Sequence, residues 1–289
     1  PLTIPTYLAA FAYRDFFSSS GVIPGIFRDY GITLGANEFL DVMNIWGAIF
    51  IFSSVLYPYI YLTMKASFSS DVAPYFNTSR LFGLSGTQVL VIVALPLTRP
   101  AGVAGVSLAL METINDYGAV HYLGVDTLTV GIFRTWFSYG DLAGAKNLAA
   151  LLLIGGVILF LIERTNRGNA RYDSSSPTAT SPRSLKGWRS WLAIAFCGVP
   201  VVFGFIFPIG QIAWWASQAQ TAAWSSLWVA SLTSLSISLL ATTLIILIAT
   251  LLTHGSSTAR NLAVRSLASI SSLGYAIPGA VIAVGVLVI

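Results

Sequence analysis

Apolar residues in this chain come in long unbroken runs separated by short polar stretches. Segments 42–64, 190–217 and 225–253 contain no Asp, Glu, Lys or Arg, and 142–162 carries only Lys146 near one end. A helix needs about 20 mostly apolar residues to cross a bilayer, so each of these runs predicts a membrane span. Residues 1–12 predict a partial span and 266–289 a further one. A seventh follows Arg99-Pro100, where 100–116 stays apolar until Glu112 and Asp116. The pattern predicts an all-α, polytopic transmembrane bundle of about seven helices. The sequence opens on Pro1 inside one apolar run and ends on Ile289 inside another, as expected of a fragment of a longer protein.

Composition narrows the class. Charged residues make up 9% of the chain and hydrophobic residues 55%, with a mean hydropathy of +0.77. Soluble domains carry roughly 25% charged residues, so a cytosolic enzyme, a disordered chain and a nucleic-acid binder are excluded. Lone Cys197, expected as a buried small side chain, rules out an intrachain disulfide and a cysteine zinc site. The cations set the sides. Placing 65–99, 164–189 and 254–265 in the cytoplasm puts eleven Lys and Arg inside and leaves Arg14, Arg28, Arg134 and Lys146 outside. That alternation obeys the positive-inside rule through every span and predicts a multi-pass membrane protein.

Segment 165–188 is rich in Ser, Thr, Pro and Arg, the composition of a flexible cytoplasmic linker. It divides the chain into 1–164 and 189–289. The two parts share a short likeness: Ile4-Pro5 and Ala10 align with Ile277-Pro278 and Ala283 at an offset of 273. A repeat of that length suits two fused transporter halves.

The stretch 65–99 is too long for a turn and too apolar for a disordered loop. Leu81, Phe82, Val89, Ile92 and Val93 are spaced for amphipathic helical turns, with Gly83 and Gly86 allowing a bend. Leu95-Pro96 and Arg99-Pro100 then punctuate the approach to the next span, with Pro100 suited to a first helical position. The reading is a helix-bend-helix foot with an apolar stripe for a partner.

These residues resemble the cytoplasmic loop EAA-x3-G-x9-I-x-LP of permease subunits of binding-protein-dependent ABC importers. Gly83 is followed by nine residues and then Val93-Ala94-Leu95-Pro96, while the EAA positions fall on Asn77, Thr78 and Ser79. The stretch 95–141 and the C-terminal LGYAIPGAVIAVG are similar to the fused double permeases of ferric-iron importers, and more distantly to thiamine-importer permeases. The resemblance implies a type I importer permease fold, with 1–164 ending the first half, 165–188 as linker and 189–289 starting the second. It implies that 65–99 docks on an ABC ATPase subunit, with Gly83 permitting the bend and Leu95-Pro96 setting the turn into the span. It also implies a periplasmic substrate-binding protein as partner and ferric iron as solute, with thiamine, polyamine or another small solute as alternatives. An ATPase-independent secondary transporter is a further alternative. No cofactor is expected in this chain: GDLAGAK at 140–146 lacks the spacing of a phosphate-binding loop, so ATP belongs to a separate subunit.

Two further groups are candidates for chemistry. Glu112 and Asp116, four apart on a helix, would share a face. Counted from Pro100, Glu112 would lie about 18 Å into the span. Charge at that depth costs roughly 2.5–3.5 kcal/mol and marks a pathway position or a buried, hydrogen-bonded carboxyl. His121, with Tyr117, Tyr122 and Asp126, is read first as packing in an outer loop and second as an iron-binding set. His254 is read as a polar inner-face residue. Trp188, Trp191, Trp214, Trp215 and Trp224 sit at span ends, as an interfacial belt requires.

Overall fold

The computed structural model describes residues 1–18, 21, 27, 42–72, 75, 78–79, 81–167, 186–218, 224–258 and 277–286. Asn77 and most of the linker lie outside these. Every regular element among the described residues is helical, and five helices are long and apolar enough to cross a membrane.

Short helix α1 (Thr6–Phe17) begins beyond Pro5, whose ring suits a helix start, so the helix sits some five residues later than the run 1–12 suggests. Helix α2 (Ile45–Ser67) starts three residues after the predicted 42 because Asn44 caps it: its side-chain oxygen accepts from the Gly47 N–H at 2.9 Å. It runs on into a π turn, Phe68–Val72.

Helix α3 (Gly86–Asn115) corrects the expected approach to the third span. Leu95-Pro96 and Pro100 lie inside it, and Pro100 is no first residue. A π segment, Val89–Ala94, brings the Leu95 N–H to the Leu90 carbonyl, five residues back. The wider turn absorbs the Pro96 ring without breaking the helix. α2 and α3 pack as a close antiparallel pair. Gly105 lies so near α2 that a Cβ there would stand 2.7 Å from the Ile60 Cα and 3.0 Å from the Tyr59 carbonyl.

Helices α4 (Gly118–Tyr122) and α5 (Leu128–Phe133) fold back over α1 and α2. Ala9, Ala10 and Tyr13 of α1 meet Ile51 and Val55 of α2, Ala119 of α4 and its C-cap Leu123 in one buried cluster. Helix α6 (Leu142–Arg167) is capped by Asp141, which accepts from the Gly144 N–H at 2.8 Å. The stretch 140–146 is therefore a helix start. Asp141→Ala is expected to cost about 1 kcal/mol, measurable as a lowered melting temperature with the fold retained.

Helix α7 (Trp188–Gln218) runs through Pro200 and Pro208, with a π segment, Val202–Ile206, between them. Trp188 and Trp191 stand at its start, Trp214 and Trp215 at its end, all but Trp215 well exposed. Cys197 is exposed, a correction of the expected buried thiol: no residue of 188–201 is buried, so α7 offers that face outward.

Helix α8 (Trp224–Thr258) forms most of a separate unit and has no buried residue in its apolar window. Its hydroxyls turn back onto their own helix, as when Thr243 donates to the Leu239 carbonyl at 2.8 Å and Thr250 to Ile246 at 2.7 Å. Self-satisfied hydroxyls suit an apolar solvent.

The last helix, α9 (Gly279–Val286), packs Ala280 and Val284 against Ala145, Ala149 and Leu152 of α6. Its start copies that of α1. The Pro5 carbonyl accepts from Leu8 and Ala9 at 2.9 and 3.2 Å, and the Pro278 carbonyl accepts from Val281 and Ile282 at 2.9 and 3.2 Å. The Ile-Pro likeness thus extends to the same local backbone geometry.

Candidate functional site

The bend in the foot is made by two opposed caps. Before it, the Phe82 N–H bonds the Thr78 carbonyl and the Leu84 N–H bonds the Ser79 carbonyl, both at 3.3 Å. The second bond spans six residues and closes over Gly83 at φ +80°, the left-handed stop that glycine makes without strain. After it, Ser85 and Gln88 form a reciprocal capping box: the Ser85 N–H donates to Gln88 Oε1 at 2.8 Å and the Gln88 N–H to Ser85 Oγ at 3.4 Å. One helical turn ends at Phe82 and α3 begins at Gly86, so Gly86 opens a helix where a break was expected.

Held at this bend, Leu81 is 87% exposed and Phe82 82% exposed. The five apolar positions do not make one stripe, because Val89 is fully buried while Ile92 is exposed. Thr78 is exposed, and Ser79 is buried with its hydroxyl on the Tyr75 carbonyl at 2.8 Å. Val93 lies half-buried in the π segment, with Leu95 and Pro96 exposed just after it.

Glu112 and Asp116 do not share a continuous helix face. Asp116 leaves the helix with ψ 120°, and Glu112 stands in the last turn. From Gly86, Glu112 is about 39 Å along the helix at 1.5 Å per residue, near its far end. Asp116 is an anchor. Its Oδ1 accepts from the Ala119 N–H at 2.7 Å, its Oδ2 from the Thr6 hydroxyl, and its carbonyl from the Thr129 hydroxyl at 3.2 Å. It thereby ties α3 to α1, α4 and α5. Glu112 is half-buried and within electrostatic reach of the Tyr59 phenol. A carboxylate in a last helical turn opposes the helix dipole, so helix stability does not account for it.

Around this end the aromatics pack. His121 stacks on Tyr117 with centroids 5.0 Å apart, Tyr117 tilts against Phe133 at 4.4 Å, and the Arg14 guanidinium lies 4.6 Å above Tyr122. Asp126 pairs with Arg134 instead of joining His121, and that bond holds the guanidinium above its usual pKa. Both side chains are exposed, so salt screens the contact. Among the described residues no three His, Cys, Asp or Glu side chains gather as a metal site.

Sequence reasoning missed a cleft of about 300 Å³ between α2 and α3, lined by Phe52, Leu56, Tyr57, Ile60, Val106 and Leu110 among others. It also missed the contacts between α1 and α7, one of which uses a backbone carbonyl freed by proline.

The fold defines a polytopic helical membrane protein. Over 167 residues the chain is 25% identical to a protein of Salmonella typhimurium named "Putative 2-aminoethylphosphonate transport system permease protein PhnU", which covers 56% of this chain and 58% of that one. A Salmonella choleraesuis protein of the same name matches equally, and one of Salmonella typhi is 24% identical over 167 residues. The chain thus spans little more than half the length of the curated relatives it matches. No family model matches, and no solved structure matches.

Proposed function

We propose that this chain is part of the permease subunit of an ATP-driven importer of the bacterial inner membrane. The observation that carries this reading is the doubly capped bend at 78–88, which holds Leu81 and Phe82 out of the fold between two helices long enough to span a bilayer. An exposed apolar pair on a stiff bend suits docking to a partner. On this reading the partner is an ABC ATPase subunit at the inner face, and a periplasmic binding protein delivers solute to the other. Segments 1–164 and 189–289 belong to two fused halves joined by 165–188. The matching helix starts at Pro5 and Pro278 support that division.

For the solute we propose an organophosphonate ahead of the ferric iron that the resemblance implies, because the relatives' name carries 2-aminoethylphosphonate. Glu112 is the candidate pathway carboxylate, suited to the ammonium end of such a solute, and Asp116 holds the neighbouring helices in place. The test is uptake of labelled 2-aminoethylphosphonate and of labelled ferric iron by cells with and without the gene. Phosphonate uptake is expected to vanish with the gene and iron uptake to persist; the reverse result assigns iron. Glu112→Gln is expected to reduce phosphonate uptake about tenfold or more with the protein still in the membrane. Unchanged uptake removes Glu112 from the pathway.

A further inference from the structure

Helix α7, which follows the linker segment, is locked to the start of the chain at its π segment. The Phe207 N–H bonds the Val202 carbonyl, five residues back. In that register the next donor, for the Phe203 carbonyl, would be the N–H of residue 208. Residue 208 is proline and has none. The Tyr13 hydroxyl of α1 donates to the Phe203 carbonyl instead, at 2.7 Å. The Tyr13 ring is buried and stacks on Phe207 with centroids 4.6 Å apart.

A second proline makes a matching contact one residue on. Pro58 cannot donate to the Ser54 carbonyl of α2, and that carbonyl lies against Gly204, where any Cβ would overlap it. The Gly204 backbone therefore faces a second carbonyl released by proline, a Cα–H···O approach. About two turns further along α7, Gln211 donates to Asp15 at 3.1 Å. The π segment meets α1 and α2 through backbone groups that an unbroken helix would keep to itself.

We infer that Tyr13 is a positioning residue: its hydroxyl replaces the amide that Pro208 lacks, and it clasps the π hinge of α7 to α1 across the linker. The hinge remains wide because its orphaned carbonyl is satisfied from outside the helix. Movement of α7 about Val202–Ile206 is then tied to movement of α1. In a fused permease, that link joins the two halves.

The test is a double-variant comparison on the full chain in lipid nanodiscs, needing neither solute nor ATPase, so it stands apart from the permease reading. Tyr13→Phe removes the hydroxyl and keeps the ring. Pro208→Ala returns an N–H to the register facing Phe203. Amide exchange across 202–211 is expected to rise about tenfold in Tyr13→Phe, and a spin label on Cys197, the single cysteine, to gain mobility. In the Pro208→Ala background, adding Tyr13→Phe is expected to change exchange by less than about twofold, since the carbonyl now has its own donor. An equal effect in both backgrounds, or no effect of Tyr13→Phe, overturns the inference. If Tyr13→Phe fails to accumulate, recovery of the double variant supports the clasp and its failure overturns it.

Discussion

Gly105→Leu is expected to separate α2 from α3 and to leave little folded protein. The Gly105 Cα faces the Ile60 backbone, and a Cβ would fall 2.7 Å from Ile60 Cα and 3.0 Å from the Tyr59 carbonyl. Both obstacles are helix backbone and cannot rotate away, unlike the end of a flexible side chain. Overpacking a fitted contact costs about 1–3 kcal/mol even where side chains can yield; here the whole helix must move, and about 3 kcal/mol or more is expected. Helices in lipid gain little from the hydrophobic effect and depend on such close approach. Gly155→Leu is the control, because nothing lies within 4 Å of a Cβ there. Thermal melts of the purified protein in detergent check it: a large loss for Gly105→Leu beside a near-unchanged Gly155→Leu is the expected result. Equal melting of Gly105→Leu and the parent protein would mean that α2 and α3 do not cross at this point.

Leu81→Asp combined with Phe82→Asp is expected to abolish uptake without touching the fold. Both side chains are more than four-fifths exposed, so no internal packing is lost. Burying a large apolar side chain against a partner is worth about 1.5–3 kcal/mol. Losing two therefore weakens docking at least about a hundredfold, at 1.4 kcal/mol per tenfold. Gly83→Val should act by another route. Its left-handed φ of +80° costs a β-branched residue about 1–2 kcal/mol or more, although nothing stands within 4 Å of the Cβ. The bend is then expected to open and misdirect Leu81 and Phe82. Co-purification of the proposed ATPase subunit reads both effects. Retention of the ATPase by the double aspartate variant at wild-type levels would sink the docking role of this bend.

Span class was legible in the sequence because a bilayer demands long apolar runs, and 42–64, 142–162, 190–217 and 225–253 each became a helix with ends shifted by a few residues; of the seven expected spans, five are long and apolar enough among the described residues. The bend at Gly83 was legible too, since a glycine between two short apolar helical turns has few other uses. Helix starts were read less well. Proline marks a boundary in water, and Pro100 was read that way; in α3 a π turn precedes Pro96 and the helix continues through Pro100. Glu112 and Asp116 look equivalent at a spacing of four. Only the chain's exit at Asp116 makes one a knot of hydrogen bonds and leaves the other at a helix end. Cys197 looked buried because an apolar run does not reveal which face meets lipid.

What the sequence determined by itself is the membrane-spanning helical class, the polar linker composition and the bend. Each follows from the solvent a segment must occupy or from the φ angle one residue permits. What the tertiary structure alone decided is which backbone groups go unpaired and who satisfies them. Pro208 announces a missing donor, but that Tyr13, 195 positions earlier, supplies it depends on α1 and α7 lying side by side. A buried carbonyl must find a proton somewhere, and the packing of helices decides where.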